Sequence, residues 1–185
     1  MTMMKMKYPD RYSLYLIDGV AKRLETFRNL PETKAYTMLN SESLDVIKEI
    51  EKELKKRYEA HISGDDDYLL KSKLLILIID NVDAVSFICS DLDGSEAMKS
   101  IVDKYKTLKI CVITFVKNET INYADPELYK IIRDRKTLVY FDDIENMKIY
   151  DMPLDLIRKN SKALEEYDAF FINDKDVRRI KTPSC

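Results

Sequence analysis

The sequence predicts an α/β protein with a mainly parallel sheet and an antiparallel hairpin near its end. Three observations predict it. Leu74 to Ile79 form an unbroken apolar run, "LLILII", that leads into Asp80. Such a run suits a strand covered on both faces, as in a parallel sheet flanked by helices. Strand-like and helix-like segments alternate along the chain instead of clustering by type. Two short runs at the end, "DAFFIN" (Asp168–Asn173) and "VRRIKT" (Val177–Thr182), read as a hairpin.

In order, "SLYLID" (Ser13–Asp18) is a short apolar strand and "AYTML" (Ala35–Leu39) a second. Ser41 to about Ile62 has helical periodicity, with Leu44, Ile47, Leu54, Tyr58 and Ile62 on one face. Asn40 or Ser41 suits its N-cap, and Glu42 its first turn. Ile62–Ser72 reads as a loop and Leu74–Asp80 as the central strand. A helix over Ser95–Thr107 follows, its inner face Ala97, Met98, Ile101, Val102 and Tyr105, with Asp93 and Glu96 resembling a capping box. "LKICVITFV" (Leu108–Val116) reads as another buried strand. Pro126 opens a short helix ending near Ile132. Lys136–Phe141 is a strand, and Ile144–Tyr150 and Leu154–Lys159 are short helices.

Composition excludes several classes. A net charge of −2 with 35% charged residues supplies no strong basic field for nucleic acid. The cysteines, Cys89, Cys111 and Cys185, are odd in number and scattered, which argues against a disulfide framework and fits a reducing cytosol. No segment is long and apolar enough to span a membrane, and "MTMMKMKYPD" lacks a signal-peptide core. The expected location is cytoplasmic. His61 is the only histidine, so neither a zinc site nor a Ser/His/Asp set is built readily. Asp65, Asp66 and Asp67 lack EF-hand spacing and read as a solvated loop. Lys55, Lys56 and Arg57 read as charges that favour the C-terminal dipole of the long helix.

The order of "YLID", "RNLPETKAYTML", "ELKKRYE", "LLILIIDNVDAV", "ICVITFV", "RDRKTLVYF" and "AFFINDKDVRRIKTP" resembles the FtsK/SpoIIIE family of motor ATPase domains. More closely it resembles the third, C-terminal such domain of the EssC/YukB coupling proteins of type VIIb (Ess, or WXG100) secretion. The resemblance runs from about Tyr12 to Pro183, so 1–185 reads as a single degenerate domain. It implies a RecA-like P-loop ATPase fold at the cytoplasmic end of a membrane-anchored parent that assembles as a hexamer. It also implies ATP and Mg²⁺ in the parent family, and as partners secreted WXG100/Esx-type proteins and neighbouring domains or subunits, not nucleic acid. The family's phosphate loop, G-x-x-x-x-G-K-[ST], does not occur in these 185 residues. The chain is thus expected to lack the phosphate-loop segment, to need no cofactor itself, and to leave an unpaired edge on Leu74–Asp80 or the adjoining strand.

By the same resemblance Asp80 matches the Walker B aspartate, which orders Mg²⁺ through water. Asn81 stands at the catalytic-acid position, where an amide cannot act as general base. Thr114 matches a strand residue that senses the γ-phosphate in related motors, although a Thr in a β-branched strand is an ordinary strand former. Asp83 could be read as a displaced acid, but its position two residues further on turns it elsewhere. Asp18 reads as structural, stabilising the turn into Gly19, and Arg133 and Arg135 as either interface arginines or a solvated loop face. The resulting expectation is an interaction domain of a secretion coupling protein, inactive as an ATPase. The alternative is a truncated ATP-driven motor, for protein secretion or DNA translocation, whose Walker A lies upstream.

Overall fold

The computed structural model describes residues 11–19, 21–39, 41–115, 137–140, 164–165, 168–173 and 176–181. The expected features at residues 1–10, the helices over 126–132, 144–150 and 154–159, Arg133, Arg135, Cys185 and the side chain of Asp83 lie outside these. The contacts of the chain form two compact units, Met1–Lys117 and Asn118–Cys185.

The first unit is built on a four-stranded parallel sheet: β1 (Tyr12–Asp18), β2 (Thr33–Met38), β3 (Leu74–Asp80) and β4 (Ile110–Phe115), in the order β2–β1–β3–β4. Leu75, Leu77 and Ile79 point to one face of β3 and Ile76 and Ile78 to the other, and all five are buried. The continuous apolar run is therefore buried on both sides, each such side chain contributing about 1.5–3 kcal/mol. Helix α1 (Ser41–Ser63) covers the first face; Tyr15 Oη donates to its Glu49 at 3.4 Å, and Ile47, Ile50 and Leu54 are buried. Leu24, Phe27 and Leu30, around a 3₁₀ turn at Glu25–Phe27, pack on the second face over Tyr12, Leu14, Leu16, Ile76 and Ile78.

Several expectations need correction. Ile62, in the last turn of α1, is 67% exposed and does not join the buried face. Arg57 is not a solvated dipole charge but is buried, donating through Nη1 to the carbonyls of Leu108 (3.0 Å) and Lys109 (3.2 Å). The Ile62–Ser72 loop contains helix α2 (Asp66–Lys71), capped by Asp65, which accepts from Tyr68 N. The three aspartates thus serve a helix start, where carboxylates are favourable.

Helix α3 (Val82–Ser90) follows β3 directly and was not foreseen, although Asn81 before it is a residue type suited to an N-cap. Helix α4 (Leu92–Lys99), continued by a π-helical turn (Ser100–Lys104), is capped by Asp91 and not by an Asp93–Glu96 box. Gly94 lets α4 approach α3: an added Cβ there would lie 2.4 Å from the Ile88 carbonyl. β4 is not fully buried. Cys111, Ile113 and Phe115 are exposed along one face, and β4 is the sheet's edge among the described residues.

The second unit holds an antiparallel sheet of β5 (Thr137–Tyr140), β6 (Asp168–Asn173) and β7 (Asp176–Lys181), in that order. The predicted hairpin is β6–β7. Asp168, buried in β6, accepts from Arg179 Nε (2.6 Å) and pairs with Lys181 Nζ (2.7 Å), both on β7.

Candidate functional site

β1 and β3 are neighbours, in register through Ile17 and Ile79. One residue further on, both strands end on an aspartate, Asp18 and Asp80. The C-terminal ends of parallel strands are where α/β folds bind ligands. Both residues are buried, Asp18 at 0% and Asp80 at 2% exposure. Asp18 Oδ2 accepts from Leu24 N (3.1 Å) and Tyr36 Oη (3.0 Å). Burial, and then this bond to Asp18, raise the Tyr36 phenol above its ordinary pKa, so it stays a donor. Among the described residues, Asp18 Oδ1 and both Asp80 oxygens have no hydrogen-bond partner. Arg23 Nε stands 3.6 Å from Asp80 Oδ2, within ion-pair range but too far for a good hydrogen bond.

Local backbone explains this closeness. An added Cβ on Gly19 would lie 2.7 Å from the Asp80 carbonyl oxygen, so only glycine lets the turn after β1 pass there. Lys22 N bonds back to Gly19 O (3.2 Å), and Lys22 lies in the left-handed region at φ 49°. That turn delivers Arg23 to Asp80.

Asn81, joined to Asp80 by a cis peptide, begins α3; its carbonyl accepts from Ala84 N (3.1 Å) and Val85 N (3.4 Å). Thr114 pairs with Ile79, whereas Phe115 pairs with Asp80. Thr114 therefore lies on the opposite face of the sheet, and the structure brings Asp80 together with Asp18, not with Thr114. Arg23 and Tyr36 were missed by sequence reasoning, and nothing in "VAKRLE" or "KAYTM" distinguishes them from ordinary surface and strand residues.

Mg²⁺ keeps several waters and binds through one or two carboxylates. The paired aspartates, with their orphaned buried oxygens, fit such a hydrated cation. No group of three metal-ligating side chains gathers among the described residues, so a protein-only cage is not formed there. Nucleotide phosphates are another matter, because the sequence contains no phosphate loop to cradle them. A separate cavity of about 400 Å³ lies towards the N-terminal ends of β1 and β3, lined by Ser13, Lys52, Lys56 and Lys73 among others. It includes none of these site residues.

A parallel sheet with carboxylates at its C-terminal edge, followed by an antiparallel hairpin, has the fold of P-loop ATPase domains, and in particular of those in EssC and EccC. The cytoplasmic domain of EssC superposes with a TM-score of 0.75 at 15% identity, covering 92% of this chain and 33% of that one. ATPases 2 and 3 of EssC from Geobacillus thermodenitrificans give 0.74 at 14% identity, covering 92% and 31%. ATPases 2 and 3 of Thermomonospora curvata EccC, solved with a signal sequence peptide, give 0.58 at 10% identity, covering 94% and 32%. The chain thus spans about a third of the EssC chains it matches. No protein-family profile and no curated protein matches the sequence. No helix among the described residues is long and apolar enough to cross a membrane.

Proposed function

We propose that the chain is a degenerate ATPase-like domain of a type VII secretion coupling protein, the third in its parent, which binds substrate proteins for export and does not hydrolyse ATP. The observation that carries this reading is the end of β3. Asp80 retains the position of a cation-ordering carboxylate, but Asn81 follows where the activating acid belongs, and an amide takes no proton from water. The EssC and EccC likeness supports the setting, and the EccC structure with a signal sequence peptide supports protein segments as the ligand class. The parent would be membrane-anchored with this domain on the cytoplasmic side, and would assemble as a homo-oligomer. Nucleic acid is not an expected partner, given the balanced charge.

Two assays on the purified chain test this together: phosphate release with Mg²⁺ and ATP, and anisotropy of a labelled C-terminal peptide from a WXG100-type protein. Peptide binding without turnover is expected. Turnover abolished by Asp80→Ala would overturn the reading, as would saturable DNA binding without peptide binding. The second reading, an active motor whose Walker A lies upstream, is favoured by the buried Asp18–Asp80 pair, which suits a cation. It expects a longer parent chain to hydrolyse ATP in an Asp80-dependent way.

A further inference from the structure

We propose that Arg23 is the resident counter-ion of the Asp18–Asp80 pair, occupying the role of a divalent cation and keeping the cation out. Two buried carboxylates end adjacent strands, and three of their four oxygens have no hydrogen-bond partner among the described residues. Buried charge without compensation is strongly disfavoured, so a cation beside the pair favours its ionised form. Asp18 is partly satisfied by Leu24 N and Tyr36 Oη, and Arg28 lies 5.3 Å from the centroid of the Tyr36 ring. Among the described residues, Asp80 has only Arg23 as its ion-pair partner, at 3.6 Å.

The backbone brings Arg23 there: Gly19 passes against the Asp80 carbonyl, and left-handed Lys22 turns the chain so that Arg23 follows. The Arg23 side chain is 56% exposed while that of Asp80 is 3% exposed. The guanidinium thus reaches in from solvent, and it offsets one of the pair's two charges without satisfying its hydrogen-bond geometry. A group so placed can be displaced or deleted without opening the core, and deletion leaves two carboxylates that a hydrated divalent ion fits. This deepens the reading of an inert site and rests on it for its meaning. Its test is nonetheless separate, since it reads cation binding and not turnover or peptide capture.

The experiment compares the full chain with Arg23→Met, which keeps much of the aliphatic stem and removes the charge. Mn²⁺ serves as probe, followed by water-proton relaxation and by thermal melting. The wild type should neither bind Mn²⁺ at submillimolar concentration nor shift its Tm. Arg23→Met should melt lower and bind Mn²⁺. At about 100 times the dissociation constant, Mn²⁺ should raise its Tm by about 5–10 °C. The double variant Arg23→Met/Asp80→Asn should recover stability without the ion and ignore Mn²⁺. If Arg23→Met fails to fold but the double variant folds, the proposal stands, because the uncompensated charge was the cause. It is overturned if both fail to fold, if Arg23→Met melts like the wild type without binding Mn²⁺, or if the wild type binds Mn²⁺ as tightly as the variant.

Discussion

Replacing Arg57 with methionine separates two accounts of the same residue by their magnitudes. If Arg57 only complements the C-terminal dipole of α1, its charge contributes about 0.3–1 kcal/mol. The structure gives it much more to do. Nη1 donates to the carbonyls of Leu108 and Lys109, and Nε donates to Glu53 at 3.0 Å. The Lys109 carbonyl also accepts from Leu75 N at 2.9 Å, and Lys109 itself is left-handed at φ 55°. Arg57 therefore ties α1 to the turn that feeds β4 and to the first residues of β3.

Methionine fills much of the same space but leaves the carbonyls with fewer donors and Glu53 without its partner. Breaking such a buried arrangement costs about 3–5 kcal/mol. Glu53 is 30% exposed and can rehydrate, which places the expectation near the lower end, about 3 kcal/mol. For a chain of this length that lowers Tm by about 6–12 °C. Urea unfolding followed by circular dichroism checks it. Arg57→Lys, which keeps the charge without the planar fork, should fall between the two. A methionine variant within about 1 kcal/mol of the wild type would refute the buried-fork account and restore the dipole reading.

Further outcomes follow from other residues. Ile78→Asp should leave no folded protein, since it buries an unpaired charge between the sheet and the Leu24–Leu30 segment; a soluble, cooperatively melting variant would contradict the double-sided burial of β3. Gly19→Ala should destabilise by about 1–3 kcal/mol, because its Cβ meets the Asp80 carbonyl, and an unchanged urea midpoint would show that the turn can move aside. Asn81→Glu should not create phosphate release by the purified chain, since the phosphate loop is not in its sequence; activity there would return the site to the motors. Asp168 is held down from 3.8 to about 2, first by its bond to Lys181 and then by Arg179. Its folded pKa lies below the unfolded one, so its stabilisation is complete above about pH 4 and is lost as the pH falls towards 2. An acid titration of β-sheet signal should therefore lose a component in that window, and Asp168→Asn should remove it; an identical acid profile in the variant would dismiss the role.

Much of the fold was legible in the sequence because its signals are local. The apolar run of β3 matched its observed limits, Leu74–Asp80, since six consecutive apolar residues rich in Ile and Leu, alternating with helix-like segments, suit a strand covered on both faces. The periodicity of α1 and the β6–β7 hairpin were legible for the same reason, and so was the carboxylate at the end of β3. What stayed hidden depended on neighbours distant in the chain. β4 has the composition of a core strand, yet it lies at the edge of the described sheet, and only strand order decides that. Asp18 and Asp80 are separated by the whole of α1, and their juxtaposition follows from the pairing of β1 with β3. Arg23 and Arg57 both stand in charged, unremarkable surroundings in the sequence. One is drawn to a buried carboxylate and the other is buried against two carbonyls, because a side chain's electrostatic partner is set by which segments the sheet brings together, and sequence spacing carries no information about that distance.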